Sequence, residues 1–441
     1  MDSEARLSAI PGPVKQYTAG GLIGNSLIEL VRPADAELQF VVWRANQAHL
    51  ALSFVHGNSE FFPLEQPASL LAAVNFPIST ADYESIHALF DEVSSLIERF
   101  GGVLKRDADR LAFFVLATWF ADVLPFAPFL WIIKPAVTSH ERLMQLLSLL
   151  CRYSLRVSAL DLRTLQCIPA GLYPTLLVEI SGMSRSLEKA LRASTRRDTF
   201  SPIGSQLRSL CCAKIIVANQ PFDHSVSVEP PLEIALSAST SSNSIIDIPE
   251  MQRNAALIQK QLLKFRLENR GDVALLSPAF PEFAAPLRTF LATLGAPIWA
   301  DSVLRARLTS LFEVHDRQAR AANASSIEAF IVEALLAACH ADEMREISAT
   351  QLAKSVNTMS ASREGGDEIS PETVGWKLRK LGVSRESLSS GRNGVKLTEE
   401  TRRLIHELSS QWQTRSSRSA DGQKCAHCAN QLALVGGESL M

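Results

Sequence analysis

The chain has 441 residues, of which 46% are hydrophobic, 20% charged and 7% aromatic, with 21 Gly and 21 Pro. That length exceeds what one hydrophobic core organises and suggests about three domains, and the composition excludes collagen-like, coiled-coil and wholly disordered chains. Lys and Arg number 44 against 46 Asp and Glu, so bulk charge does not hold the whole molecule on nucleic acid, and any such binding has to be local.

Met1 to Pro13 begins with acidic residues and lacks the basic and apolar regions of a secretory signal, so a cytoplasmic setting is expected. The cysteines lie mostly in apolar runs, as reduced core residues do. From Gly21 to Leu64 the β-rich runs Leu22–Val31, Leu38–Arg44 and His49–Val55 alternate with turn material, which predicts a small antiparallel module within residues 1–79. Ile86, Leu89, Phe90, Val93, Leu96 and Ile97 recur at helical spacing before Gly101-Gly102, predicting an amphipathic helix. Leu111 to Ile133 carries one charge, Asp122, and is long enough to cross a bilayer of about 30 Å. Pro125 and Pro128 interrupt it, so the favoured reading is a buried helix from Arg110 to Leu124, a bend, and a buried strand Phe129–Ile133.

The centre alternates apolar strands and helices: Phe129–Ile133, helix Glu141–Tyr153, strand Leu176–Ile180, helix Ser186–Ser194, strand Ala213–Ala218. This order predicts a parallel, doubly wound sheet within residues 80–249. After the Ser-rich stretch Ser237–Ser244 the pattern turns helical, giving a lid over residues 250–325 from Met251–Arg270, Pro286–Leu294 and Asp301–Ala322. Residues 326–413 read as helices Ser326–His340, Ser348–Ser360 and Pro371–Leu381, a two-stranded wing Leu388–Leu397 and a closing helix Thr398–Trp412, which is a winged helix-turn-helix. The Ser/Gly/Ala-rich tail, residues 414–441, is predicted to be disordered. Its Cys425, His427 and Cys428 are too few for a zinc site, so no metal is expected.

A buried strand turning directly into a helix is where backbone N–H groups can cradle phosphate. Here the turn runs from Lys134 to Arg142 without glycine, and His140 and Glu141 stand where a phosphate-loop Lys and Ser/Thr would. The second strand carries Glu179 alone, followed by Ile180 where a second carboxylate would activate water. The third ends at Asn219, the place of a polar sensor, although an Asn capping a strand is common without that role.

Taken with Val115–Asp122, Pro174–Glu179, Leu191–Thr199, Lys214–Asn219 and Val374–Gly382, the chain resembles the AAA+-like helicase/ATPase proteins of phages, plasmids and other mobile elements, over roughly Gly20 to Trp412. The resemblance implies an ATPase fold, while the missing glycines, Lys and second acid imply a degenerate nucleotide site formed by His140, Glu141, Glu179 and Asn219, with no bound cofactor. The stretch Ala235–Ser244, where such proteins tend to carry an arginine, has none. Arg196 and Arg197 read more readily as a solvated basic helix end than as a phosphate contact.

Charge concentrates near the end of the chain. From Ser370 to Ala420 there are ten cations (Lys377, Arg379, Lys380, Arg385, Arg392, Lys396, Arg402, Arg403, Arg415, Arg418) against five carboxylates (Glu372, Glu386, Glu399, Glu400, Glu407), a balance of +5. Thr373, Lys377, Arg379 and Lys380 would present a recognition helix to DNA, and Arg392 and Lys396 a wing, while Trp376 is expected in the core.

The fold expected is therefore α/β, with a P-loop-like parallel-sheet core, a small β-rich N-terminal module, a helical lid and a C-terminal winged helix. The function expected is a non-hydrolysing, DNA-binding scaffold in replication or mobile-element maintenance. Its partners would be DNA and either further copies of the chain or an active ATPase, and no membrane. Two alternatives stay open: an active helicase/ATPase with an atypical phosphate loop, and a protein-interaction subunit that does not bind DNA.

Overall fold

The computed structural model describes residues 13–34, 36–65, 68–134, 140–222, 231–236, 247–283, 285–324, 326–341, 344–363 and 368–412. The chain divides into two compact units, Met1–Glu282 with Pro286–Leu311, and Phe283–Ala285 with Phe312–Met441.

The first unit opens with seven short strands: β1 (Val14–Thr18), β2 (Gly20–Ile23), β3 (Ser26–Val31), β4 (Gln39–Arg44), β5 (Gln47–Ala51), β6 (Phe54–His56) and β7 (Ser59–Pro63). The expected run Leu22–Val31 folds back on itself at Gly24, whose positive φ of 57° closes the β2–β3 hairpin. Strands β2, β3, β4 and β5 form an antiparallel meander, but β1 pairs with β7 in parallel. The module is thus not wholly antiparallel, as its alternating pattern suggested. After α1 (Ala68–Ala73), Ser85 caps α2 (Ile86–Gly101) by accepting from the Ala88 N–H at 3.1 Å, and Gly102 in the left-handed region ends it.

The apolar run expected to be helical from Arg110 to Leu124 forms α3 (Lys105–Thr118), which starts earlier and stops sooner. Thr118 turns its hydroxyl to the Val115 carbonyl at 2.7 Å, and the Trp119 and Phe120 N–H groups bond three residues back at 3.2 and 3.0 Å. The helix tightens and ends before either proline because Arg266 takes the Trp119 carbonyl and the Asp122 carboxylate. Among the described residues no helix is long and apolar enough to cross a membrane.

The α/β core follows: β8 (Phe129–Ile133), α4 (Glu141–Leu150), β9 (Leu155–Arg156), α5 (Leu162–Cys167), β10 (Thr175–Glu179), α6 (Arg185–Thr195), the hairpin β11 (Phe200–Ile203) and β12 (Gln206–Ser209), β13 (Ala213–Ala218) and β14 (Leu232–Ala235). Five strands make one sheet in the order β14-β8-β13-β10-β9, every neighbouring pair parallel. Buried on both faces, β8, β10 and β13 are continuous apolar runs, as parallel strands covered by helices must be. The edge strands β9 and β14 leave no signature in the sequence because two and four residues are too short to register as a pattern.

The remaining helices are α7 (Ile248–Leu275), α8 (Ala285–Gly295), a 3-10 turn at Ala296–Ile298 and α9 (Ser302–Ala324), whose last residues belong to the second unit. The α7 helix is held to the core by ion pairs rather than by a clean apolar stripe. Glu29 of β3, Asp122, Arg152 and Arg266 are all 5% exposed or less. Arg266 donates to Glu29 at 2.6 and 2.8 Å and to Asp122 at 2.6 Å, Arg270 donates to Asp122 at 2.8 Å, and Arg152 and the Tyr153 hydroxyl complete the shell of Glu29 at 2.9 and 2.8 Å. Burial alone would raise both carboxyl pKa values, but the facing guanidiniums outweigh it and hold both groups below their ordinary range.

The second unit contains α10 (Ile327–His340), β15 (Glu346–Ser348), α11 (Ala349–Arg363), α12 (Pro371–Lys380), β16 (Glu386–Ser387), β17 (Asn393–Lys396) and α13 (Glu399–Trp412). Phe330, Leu335, Leu352, Val374, Leu378, Val395 and Ile405 form its core. The hairpin β16–β17 gains a third strand, β15, pairing antiparallel with β17. Gly394 allows that pairing, since a Cβ there would come within 2.3 Å of the Ile347 carbonyl. Residues 413–441, with Cys425, His427 and Cys428, and the stretch Ser237–Ser244 lie outside the described residues.

Candidate functional site

Two places bring the expected site residues together, one in each unit. The first is the carboxyl edge of the parallel sheet, where an α/β fold binds ligands between diverging strands. Because Ile133 pairs with Ala218 and Val217 with Glu179, the continuations Lys134 and Asn219 lie two positions beyond Glu179 at that edge. His140, at the N-terminus of α4, is buried and sits 3.1 Å from Glu179 Oε2, while Lys134 Nζ forms an ion pair with Glu179 Oε1. Glu141 Oε1 lies 3.8 Å from His140 and its other oxygen accepts from Arg156 at 2.9 Å.

The chemistry of this edge is that of a carboxylate already compensated. The Lys134 hydrogen bond first, and the His140 ring after it, hold the Glu179 pKa below its ordinary value. Lys134, which no sequence pattern singles out, supplies the charge that a phosphate-binding lysine would carry, yet turns it onto the protein's own acid. His140, Glu141 and Glu179 offer ligand atoms within 4.8 Å of one another. Arg156 and Lys134 take up the carboxylate charges of that group, and Asn219 is exposed beyond them. Residues 135–139 of the turn lie outside the described residues. Arg196 is paired with Asp198 at 3.0 Å and Arg197 donates to the Val123 carbonyl at 3.2 Å, so both are engaged within the fold.

The second place is the outward face of α12 and the adjoining hairpin. Ser370 caps α12 by accepting from the Thr373 N–H at 3.2 Å, with Pro371 in the first turn. Val374 and Leu378 face inward, which leaves Thr373, Trp376, Arg379 and Lys380 exposed on the other side. Lys377 departs from its expected place on that face: its ammonium donates to Glu328 of α10 at 2.6 Å, and only 17% of the side chain is exposed. Trp376 departs in the opposite direction, being 59% exposed rather than in the core. The helical phase explains both, since Val374 and Leu378 define an inward direction to which Trp376 is nearly opposite and Lys377 adjacent. On the hairpin, Arg392 is exposed and Lys396 pairs with Glu386 at 3.2 Å, both side chains largely in solvent.

No protein family and no curated protein matches the chain. Among solved structures, the apo A form of the NrS-1 C-terminal region is similar at 11% identity, with 84% of this chain and 96% of that one covered and a TM-score of 0.36. A structure of Drosophila ORC bound to DNA is similar at 11% identity, covering 74% of this chain and 94% of that one, with a TM-score of 0.18. Scores this low establish neither fold nor activity for this chain.

Proposed function

We propose that the chain is a DNA-binding scaffold whose ATPase-like core does not turn over nucleotide, serving DNA replication or the maintenance of a mobile element. The observation that carries this reading is the exposed cationic face of the second unit, where Arg379, Lys380 and Arg392 lie open on a capped helix and a hairpin turn. In this reading residues 326–413 are a winged helix, α12 is its recognition helix and the β16–β17 hairpin its wing. The sheet edge supports the second half of the proposal. Glu179 is ion-paired with Lys134 and within hydrogen-bond distance of His140, so the lysine that would meet the phosphates and the acid that would hold a metal ion are turned on each other. Association with further copies of the chain or with an active ATPase belongs to the same proposal.

The test is a salt titration of binding to random duplex and single-stranded DNA, comparing the wild type with an R379A/K380A/R392A/K396A variant. Removing one phosphate-binding cation should reduce the salt slope by about one. Equal affinities and slopes would move the second unit to a protein-docking role. In the same preparation ATP turnover should be absent, and a turnover abolished by E179Q would replace the scaffold with an active ATPase.

A further inference from the structure

The strongest unexplained feature of the second unit is Trp376, a large apolar side chain in solvent on a helix whose inward side is already filled by Val374 and Leu378. Its ring is flanked by two ammonium groups, Lys377 Nζ and Lys380 Nζ, each 5.8 Å from the ring centroid. Thr373, Trp376 and Lys380 follow one another at i, i+3 and i+7, a stripe of hydroxyl, aromatic face and cation along the exposed side of α12. Arg379 lies beside the stripe, and Arg385 lies against the helix at Gly375, where a Cβ would meet its guanidinium at 2.5 Å. The only carboxylate in α12 is Glu372, in the first turn beside Arg385 and away from Arg379 and Lys380. The charge calls for a polyanion, and the aromatic surface calls for something to stack on it.

An indole has one N–H donor and no acceptor, so it reads base edges poorly and offers mainly its π-face. Duplex DNA hides base faces within its stack, whereas single strands expose them, and aromatic rings interleaved with cations are how proteins hold such strands. Resting on the DNA-binding reading above, we propose that Trp376 stacks on an unpaired base, with Lys380 and Arg379 on the flanking phosphates, so that the α12 face takes single-stranded DNA. The Lys377–Glu328 ion pair holds the helix in place next to the ring, so the platform is set before the strand arrives.

The experiment uses the full chain and labelled oligothymidine and random duplex DNA, with affinities measured across a salt series for the wild type, W376A, W376F and R379A/K380A. W376A should lose at least about fivefold in affinity for the single strand with the salt slope unchanged, because base stacking releases no counterion. W376F should recover most of that loss. R379A/K380A should lower the slope by about 1.8 on the duplex and about 1.4 on the single strand. If R379A/K380A weakens binding as expected while W376A binds the single strand like the wild type, the stacking proposal falls and the DNA reading stands. Equal losses for W376A on single strand and duplex overturn the strand preference. Absence of any binding that responds to R379A/K380A overturns the DNA reading and the stacking proposal with it. A W376A variant with unaltered DNA affinity but a smaller sedimentation coefficient assigns the face to a second copy of the chain, which also overturns the proposal.

Discussion

Two of the first unit's clusters in which carboxylates are clasped by cations, those at Glu29–Asp122 and at Glu179, differ in one respect that decides what each can do. Around Glu29 and Asp122 both carboxylates and the guanidiniums of Arg152 and Arg266 are buried, with Arg270 alone reaching the surface at 15% exposure, and each carboxylate oxygen has a guanidinium or hydroxyl within hydrogen-bond distance. At the sheet edge Glu179 meets Lys134 and His140, but nearly half of its side chain is in water. A sealed cluster cannot exchange its partners for solvent, so its geometry is part of the fold. An open cluster can exchange them at little cost, so it contributes little stability and its residues are available to change role.

The largest effect expected from this contrast is at Arg266. Truncation to Ala leaves Glu29 and Asp122 buried and short of their main partner, and should cost about 3–5 kcal/mol or prevent folding, measured by urea denaturation. A loss below about 1 kcal/mol would show that water reaches the cluster and erase the distinction drawn above. A second expectation concerns acid. Glu29 and Asp122 are held below their ordinary pKa values, so the folded chain keeps them ionised where the unfolded chain takes up protons. The stability they contribute is present above about pH 4.5 and is lost as pH falls toward their folded values. Unfolding midpoints measured from pH 7 to pH 3 should therefore fall less steeply for E29Q than for the wild type; parallel curves would contradict this.

The parallel strands β8, β10 and β13 were legible because continuous β-branched and aliphatic runs bounded by turn residues have few other readings. The expected helices Ser186–Ser194 and Pro371–Leu381 lie within a residue at each end of α6 and α12, whose Ser184 and Ser370 caps fix where they start. The buried ion cluster was not legible. Glu29, Asp122, Arg152 and Arg266 are far apart in the chain, and nothing local distinguishes a charge in an apolar run that will find three partners from one that ends a helix. Lys134 was missed for a related reason: its partner Glu179 comes from another strand, and only the strand order brings the two to one edge. At α12 the charge density is readable in the sequence, but the facing of Lys377 and Trp376 is not, because it depends on Val374 and Leu378 being the residues that pack inward.

The inward direction of α12 separates two lysines three residues apart. Lys377 is tied to Glu328, whose carboxyl pKa burial would raise but Lys377 holds down. K377A should cost about 1–2 kcal/mol of stability in denaturant titration and leave the salt slope of DNA binding nearly unchanged. K380A, on the exposed face, should do the reverse, with stability changed by less than about 0.5 kcal/mol and the slope lowered by about one. Matching behaviour of the two variants would mean that Lys377 leaves Glu328 when DNA binds.

The smallest effect expected is at Lys134, where the open cluster is tested directly. Glu179 is 48% exposed and Lys134 18%, so their attraction is screened from the carboxylate side and competes with hydration, which limits such pairs to about 1 kcal/mol. K134A should therefore unfold within about 1 kcal/mol of the wild type in urea, and added salt should shrink the difference further. The same substitution removes the hydrogen bond that does most to depress the Glu179 pKa, leaving His140 as the remaining partner. The Glu179 carboxyl, followed by carbon-detected NMR titration, should then titrate at higher pH in K134A than in the wild type. A K134A loss comparable to that of R266A would place the sheet edge among the sealed clusters, and Glu179 would then be a structural residue rather than the remnant of a nucleotide site.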